Sequence, residues 1–310
     1  MKDVSDRSPT LRRATAEALV TMRPETLAAV RAGTVPKGDV VGVTRAAGLL
    51  GLKRTPDLLP FCHAISLDHA DVQVAVQEDG VRVTVTVAAI GRTGVEVEAM
   101  TGAAVAALNV YDMVKPLDPT AQVGSVRVVE KRGGRSDFRR GAAADLKAGV
   151  LVISDSVAAG RADDRAGGAV AALLVEAGVA VAARAVVPDE PPRIAEAVRA
   201  WTDADGLDLV VCVGGTGPSP RDRTPEAVRP LLDLEIPGLG EAARAHGGDR
   251  TPLACLSRSL GGLRGASVVV AVPGSTGGAV ESLTALLPAL LHLPRLREPG
   301  YRHGEPGSTA

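Results

Sequence analysis

The segment LDLVVCVGGTGPSPRDRTPEAV, residues 207–228, decides the reading of the C-terminal half. It opens on a largely apolar run, 207–213, and breaks into Gly214-Gly215-Thr216-Gly217. It resumes as a helix at Thr224-Pro225-Glu226, with Thr224 as N-cap and Pro225 at the first helical position. Such a run suits a strand buried on both faces, as in a parallel sheet covered by helices. Glycines after the strand let backbone N–H groups approach an anion, and a helix N-terminus favours negative charge. The turn therefore reads either as a phosphate cradle or as a tight glycine turn and nothing more. Asp222 reads either as a functional carboxylate or as a loop former. No Gly-Lys-Ser/Thr follows, so this is not a P-loop, and the spacing is not a dinucleotide fingerprint.

Working outward, 150–153, 179–187 and 267–272 read as further strands. Helices are expected over 166–177, ending at Gly178, over 192–200, and from about Gly278. Strands alternating with helices predict an α/β three-layer domain with a mostly parallel sheet, its ligands at the carboxyl edge.

The first half reads as α+β. Val72, Val74 and Val76 alternate with polar residues, as do Val81, Val83, Val85 and Val87, and Glu78-Asp79-Gly80 between them predicts a hairpin. Asp39 is placed to cap a helix reaching Leu52, and a second helix is expected from about Glu98 to Val114. Between the halves lies KRGGRSDFRRGAAADLK, residues 131–147, basic and small with no hydrophobic period. The expected organisation is a domain over 1–141, a linker over 142–146, a second domain over 147–298 and a flexible tail over 299–310.

A chain of 310 residues fits two domains of this size. Hydrophobic residues are 45% and aromatic ones 2%, so the cores are built from Val, Leu, Ala and Ile, and base-stacking nucleic-acid modules are disfavoured. Lys+Arg 35 against Asp+Glu 36 leaves no polyanion footprint, so no nucleic-acid partner is expected. Three scattered cysteines (Cys62, Cys212, Cys255) make neither a disulfide framework nor a Cys-rich zinc site, and a reducing compartment is the default. The start has no apolar signal core, and no stretch reaches the ~18 apolar residues of a membrane span. The expectation is a cytoplasmic protein with no membrane partner.

In the first half, Asp112 and Lys115 are three apart at a helix end and share a face. Glu98 lies fourteen residues earlier, about 40° from the same line, so it could face the same site. On spacing alone, a surface ion pair is the more ordinary reading of Asp112 and Lys115. Lys37, Lys53, Cys62 and His63 taken singly read as surface or structural residues.

Three blocks carry more: KGDVVGVTRAAGLLGLKRTPDLLPFCHAIS, GRTGVEVEAMTGAAVAALNVYDMVKPLD and VEKRGGRSDF. With the opening Asp3-Val4-Ser5 they resemble the cyclic pyranopterin monophosphate synthase family of molybdenum cofactor biosynthesis, over nearly all of residues 1–140. The resemblance implies a ferredoxin-like α+β domain. It also implies conversion of 3′,8-cyclo-7,8-dihydroguanosine 5′-triphosphate into cyclic pyranopterin monophosphate, releasing pyrophosphate. On matching positions it implies Asp112 as general acid/base, with Lys115 lowering its pKa and contacting the reacting phosphate. Lys37 and Lys53 would clamp phosphates. Phe61, Cys62 and His63 match one substrate-contacting segment, and Val97 and Glu98 a second, with Glu98 toward the purine-derived ring. Lys131 and Arg135 match a glycine-containing loop with two lysines. Ala64 stands where the family usually has proline, and Arg135 where it has lysine. No cofactor is firmly implied for this half.

In the second half, GGTGPSPRDRTPEA resembles the signature of the molybdopterin adenylyltransferase and molybdopterin-binding family. SDSVAAGRADDRAG, VVPDE, IPGLGEAARAHG, LSRSLGGLRG and VAVPGSTGGAVESL stand in the expected order, over about residues 147–298. The resemblance implies adenylyl transfer from ATP to molybdopterin with Mg²⁺. Asp189 and Asp222 match the family's two functional aspartates, assigned to Mg²⁺ and nucleotide positioning. Gly214, Gly215, Thr216 and Gly217 would cradle a phosphate. Ser154, Asp155 and Ser156 match a loop at the same sheet edge, and Gly274 and Ser275 would close a pterin or phosphate pocket. Glu241 and Arg244 would order the site. Because some members are thought to bind pterin without transfer, the competing expectation is an active synthase fused to a non-catalytic pterin/nucleotide-binding or assembly module. Both families form oligomers with sites near subunit interfaces. That implies a homo-oligomer, trimeric or hexameric, open to contact with other enzymes of the pathway.

Overall fold

Alternation at a period of two builds the N-terminal sheet. In β1 (Thr10–Thr21), Ala14, Ala16, Ala18 and Val20 are buried and the residues between them are not. The same pattern runs through β3 (Val81–Gly91), where Val81, Val83, Val85 and Val87 are buried. With β2 (His69–Val76) and β4 (Gln122–Arg132) they form an antiparallel sheet of order β2-β3-β1-β4. α1 (Pro24–Ala32), α2 (Val40–Lys53), the short α3 (Thr55–Leu58) and α4 (Glu96–Val114) complete the unit. The order of elements and strands is ferredoxin-like, as expected. Asp39 caps α2, accepting from Gly42 N at 2.9 Å. The β2–β3 hairpin closes where Gln77 N donates to Gly80 O at 2.8 Å. α4 starts at Glu96, two residues before the expected position.

The C-terminal sheet is made of β5 (Lys147–Ile153), β6 (Ala180–Val187), β7 (Leu209–Val213), β8 (Leu234–Glu235), β9 (Leu260–Arg264) and β10 (Ser267–Val272). Its order is β6-β5-β7-β10-β9-β8, with the first four strands parallel, β9 antiparallel to β10, and β8 antiparallel to β9. Each central strand feeds both faces. Val150 and Val152, Leu209 and Val211, and Val268 and Val270 enter one core. Leu151, Val210, Cys212 and Val269 enter the other. α6 (Arg165–Glu176), α9 (Pro237–Gly248) and α10 (Thr276–Leu296) cover the first face. α7 (Pro191–Arg199), the π-helical turn Ala200–Ala204 with Trp201, and α8 (Thr224–Val228) cover the second. A one-turn helix, α5 (Asp155–Ala158), follows β5.

The three-layer, mostly parallel reading holds, and the antiparallel edge is an addition to it. One local expectation is corrected. Thr224 is the first residue of α8 rather than its N-cap, and its hydroxyl donates to Gly214 O at 2.8 Å instead. That buried bond ties the helix back to the glycine turn.

The computed structural model describes residues 1–134 and 145–296. Arg135, positions 142–144 of the expected linker and the tail 299–310 lie outside the described residues. The chain divides into two compact units, one built on each sheet. Among the described residues, no helix is long and apolar enough to cross a membrane.

Candidate functional site

α4 carries chemistry at both ends. Near its C-terminus the exposed Asp112 is clasped by two ammonium groups. Lys115 Nζ reaches Oδ1 at 2.8 Å, one helical turn on. Lys37 Nζ, from the turn just before α2, donates to Oδ2 at 2.7 Å and to the Asp112 carbonyl at 2.8 Å. Lys115 first and Lys37 second pull the carboxyl down to about 2, and Asp112 in turn raises Lys115.

The other end is built differently. Glu98, in the first turn of α4, is 2% exposed. Its Oε1 accepts from Cys62 Sγ at 3.5 Å, and Oε2 has no hydrogen-bond partner among the described residues. Burial pushes the Glu98 carboxyl up, with the neighbouring Glu96 charge adding to it. Burial and Glu98 also push the Cys62 thiol up. Glu96 loses by burial but is held below the ordinary range by Lys131, whose Nζ reaches Oε1 at 2.5 Å.

The axial rise separates these groups. Fourteen residues of helix span about 21 Å, so within one chain Asp112, Lys37 and Lys115 form one group. Cys62, Glu96, Glu98 and Lys131 form another, with His63 next in the chain to Cys62. The azimuth alone had placed Glu98 and Asp112 together. Phe61 and Val97 are exposed. Lys53, at the end of α2, joins neither group by a hydrogen bond or ion pair among the described residues.

In the C-terminal unit the site lies at the carboxyl edge of β5, β6, β7 and β10. Gly214 has φ 115°, and an added Cβ would stand 2.2 Å from Ile153 O. Gly215 has φ 62°, and its Cβ would meet Thr224 Oγ1 at 2.3 Å and Asp189 Oδ1 at 2.9 Å. The glycines are thus required by backbone geometry and by close packing alike. Among the described residues the amides of Gly215, Thr216 and Gly217 donate to no protein acceptor.

Asp189 and Asp222 lie to either side of this turn. Asp189 Oδ2 accepts from Asp155 N at 3.0 Å, and Asp155 Oδ1 accepts from Asp189 N at 3.0 Å. Asp222 Oδ2 accepts from Ser219 N at 3.1 Å. Burial pushes the Asp189 carboxyl up, reinforced by the Asp155 and Asp222 charges. Both aspartates line one cavity of about 420 Å³ that also takes in Ser154, Gly214, Gly215, Gly274 and Ser275. Ser154 caps α5 through Val157 N and faces Ser156 Oγ at 3.1 Å. A second cavity of about 480 Å³ shares Gly215, Asp222, Gly274 and Ser275, and extends over Leu253, Leu256 and Ser257. The structure therefore brings together Ser154, Asp155, Ser156, Asp189, the 214–217 turn, Asp222, Gly274 and Ser275. Arg244 lines the second cavity and holds the Ser257 and Ser259 carbonyls.

Two arginines escaped the sequence reading. Arg221 pairs with Asp155 Oδ2 through Nε and Nη2 at 2.9 and 2.6 Å. Arg258 braces the whole turn: its N donates to Thr216 O, its Nε to Gly217 O, and its other nitrogens to Asp222 O and Glu226. Both stand inside recognisable blocks, but nothing in the local pattern names their partners.

Comparison with known proteins fits this division of labour. The MoaC family model matches residues 1–134, and the model described as a probable molybdopterin binding domain matches 149–292. A molybdenum cofactor biosynthesis bifunctional protein of Chlorobaculum tepidum is 38% identical over 302 residues, 97% of this chain and 96% of that protein. One from Synechococcus elongatus is 39% identical over 305 residues, 94% and 95% of the two chains. A cyclic pyranopterin monophosphate synthase of a Roseiflexus species is 48% identical over 141 residues, 44% of this chain and 89% of that protein. Fold and matches together define a fusion of a MoaC domain with a molybdopterin-binding-type domain. The chain belongs to the family of molybdenum cofactor biosynthesis bifunctional proteins.

Proposed function

We propose that both units are catalytic, the first as a cyclic pyranopterin monophosphate synthase and the second as a molybdopterin adenylyltransferase. The observation that carries the second assignment is the pair Asp189 and Asp222, flanking a glycine turn with uncommitted amides and lining one cavity.

The residues fit magnesium brought in with a nucleotide. Four carboxylates line the 420 Å³ cavity, Asp163, Asp164, Asp189 and Asp222, against the single cation Arg165. Arg184 already neutralises Asp164, at 2.7 Å. A bare polyphosphate would be repelled there. Among the described residues no cluster of three or more carboxylate, histidine or cysteine side chains is arranged to hold a metal unaided. One or two carboxylates plus phosphate oxygens is the ordinary magnesium arrangement. Bound magnesium would supply charge neutralisation to the phosphate chain. Asp189 and Asp222 would hold it, and the amides of Gly215, Thr216 and Gly217 would orient phosphate oxygens. The adjoining 480 Å³ cavity, apolar at Leu253 and Leu256, suits the pterin. A phosphate oxygen of molybdopterin then attacks the α-phosphorus of ATP, the α–β bridging bond breaks, and pyrophosphate leaves.

In the first unit Asp112 is a carboxylate at neutral pH and accepts a proton. Lys115, in contact with it, is the donor toward phosphate. Glu98, its carboxyl pushed up by burial, would hydrogen-bond the purine-derived ring. The wide separation of Asp112 and Glu98 along α4 supports a homo-oligomer in which neighbouring chains complete each site. The three cysteines without disulfides suit the reducing cytoplasm.

The test is to incubate the purified chain with molybdopterin, ATP and Mg²⁺ and seek adenylyl-molybdopterin by mass spectrometry, with Asp222→Ala alongside. Product from wild type and none from the variant supports the assignment. No product, with cyclic pyranopterin formation intact, reduces the second unit to a binding or assembly module. Asp112→Ala should abolish the first reaction only.

A further inference from the structure

Three carboxylates converge beside the glycine turn. Asp155 and Asp189 are locked by their reciprocal amide–carboxylate bonds, both 3.0 Å, across the ends of β5 and β6. Asp222 is oriented by Ser219 N and forms no ion pair among the described residues. Arg165 lies on the cavity wall, where it forms no ion pair among the described residues, and the other cations nearby are committed elsewhere: Arg184 to Asp164, and Arg258 to Glu226 and two carbonyls. Arg161 donates to the Asp155 carbonyl and not to its carboxylate.

Arg221 is the guanidinium that answers this cluster. It stands one residue before Asp222 on the exposed turn after β7. It reaches Asp155 with two nitrogens on a single oxygen, Oδ2, and not in the stronger fork across both. Its side chain is 63% exposed. An ion pair of that kind contributes little and exchanges readily. The carboxylates it faces, however, repel one another unless some cation is present.

We propose that Arg221 is an internal counter-ion of the ligand-free nucleotide site. It occupies the place in the charge balance that a metal-bearing nucleotide takes over, and it transfers from Asp155 to the phosphate chain when that nucleotide binds. Metal alone is thereby held off, and metal arriving with polyphosphate is favoured. The inference rests on the reading of the C-terminal cavity as a magnesium–nucleotide site, and concerns what Arg221 does there.

The experiment uses the full chain and two probes, Mn²⁺ alone and Mn²⁺ with α,β-methylene-ATP. Mn²⁺ binding is read by electron paramagnetic resonance and nucleotide binding by calorimetry. An Asp189→Asn/Asp222→Asn double variant fixes the signal bound elsewhere on the chain. Removing one positive charge several ångströms from a dication at near-aqueous dielectric changes its affinity by about fivefold to tenfold. Arg221→Gln should therefore bind Mn²⁺ alone about fivefold to tenfold more tightly, and the Mn²⁺–nucleotide complex about tenfold more weakly. Arg221→Lys, which keeps the charge, should leave Mn²⁺ affinity within about twofold of wild type. Opposite signs for the two probes are what a mere strut would not produce. If wild type binds neither probe above the double-variant background, the magnesium–nucleotide reading fails and takes this inference with it. If wild type binds both, but Arg221→Gln weakens Mn²⁺ or leaves it unchanged, the counter-ion role alone is refuted.

Discussion

Alanine at position 215 would place a methyl group where the second unit has no room for one. The backbone there is left-handed, φ 62°, which costs a non-glycine residue about 1–2 kcal/mol. The new Cβ would stand 2.3 Å from Thr224 Oγ1, so that hydroxyl must abandon Gly214 O. Thr224 is fully buried, and a buried hydrogen bond left unmade costs about 1–3 kcal/mol. Reduced freedom of the unfolded chain returns about 0.4–1 kcal/mol. The balance is a loss of about 2–4 kcal/mol. The chain's single tryptophan, Trp201, sits in the core of this unit and reports its unfolding alone. With a urea slope of about 2 kcal/mol/M, the Trp201 fluorescence midpoint should fall by about 1–2 M. Adenylyl transfer should fall with it, because the same methyl group would crowd Asp189 Oδ1 at 2.9 Å. Gly168→Ala is the control: it lies inside α6 with nothing within 4 Å of the new methyl, and should stabilise by up to about 1 kcal/mol. A midpoint for Gly215→Ala indistinguishable from wild type would refute the reasoning.

Further outcomes follow from the charges. A carboxyl NMR titration should place Asp112 at about 2, moving up toward 3.8 in Lys115→Met; a wild-type midpoint near the ordinary value would dismiss the lysine clasp. Since its folded value is depressed, the contribution of that clasp is present above pH 3.8 and is lost as pH falls through about 2, so no Asp112 limb should appear in synthase activity in the neutral range. Glu98 is the opposite case: its folded value is raised, so its burial is tolerated in acid and becomes unfavourable as pH rises through that value. Glu98→Gln should therefore slow hydrogen exchange in α4 increasingly as pH rises, with the difference closing on acidification; a difference that did not grow with pH would count against the cost of burying the Glu98 carboxylate. Arg258→Met should lower kcat/KM for adenylyl transfer by about tenfold to a hundredfold, the value of a lost charged hydrogen bond, while the synthase rate stays constant as an internal control. Equal losses in both reactions would point to general unfolding.

What could be read in advance depended on how far each interaction reaches along the chain. β5, β7 and β10 announce themselves because two-sided burial makes nearly every position apolar. β1 does not, since its inward face is largely Ala14, Ala16 and Ala18, and alanine is a weak strand former with little hydropathy contrast. β9 is hidden by Gly261 and Gly262; at Gly262 the missing side chain lets Leu234 O approach to 2.2 Å of where a Cβ would be. In the sites, Asp112 with Lys115 was legible as an i,i+3 pair, and the glycine turn with Asp222 as a local motif. Lys37 is 75 residues from Asp112, and Arg221 is 66 from Asp155, distances to which no periodicity applies. Glu98 shows a subtler limit: spacing gives its angle around α4, but its height along the axis determines what it can touch.

That height has a genetic consequence. If one chain contributes the Asp112 end of α4 to a site and its neighbour the Glu98 end, two defective alleles can rescue one another. Chains carrying Asp112→Ala and chains carrying Glu98→Ala would each be inactive, yet mixed assemblies would regain about a quarter of the sites, those drawing each end from the unmutated copy. Co-expressing the two alleles in a synthase-deficient host, and comparing growth with either alone, would read the architecture of the assembly without solving it.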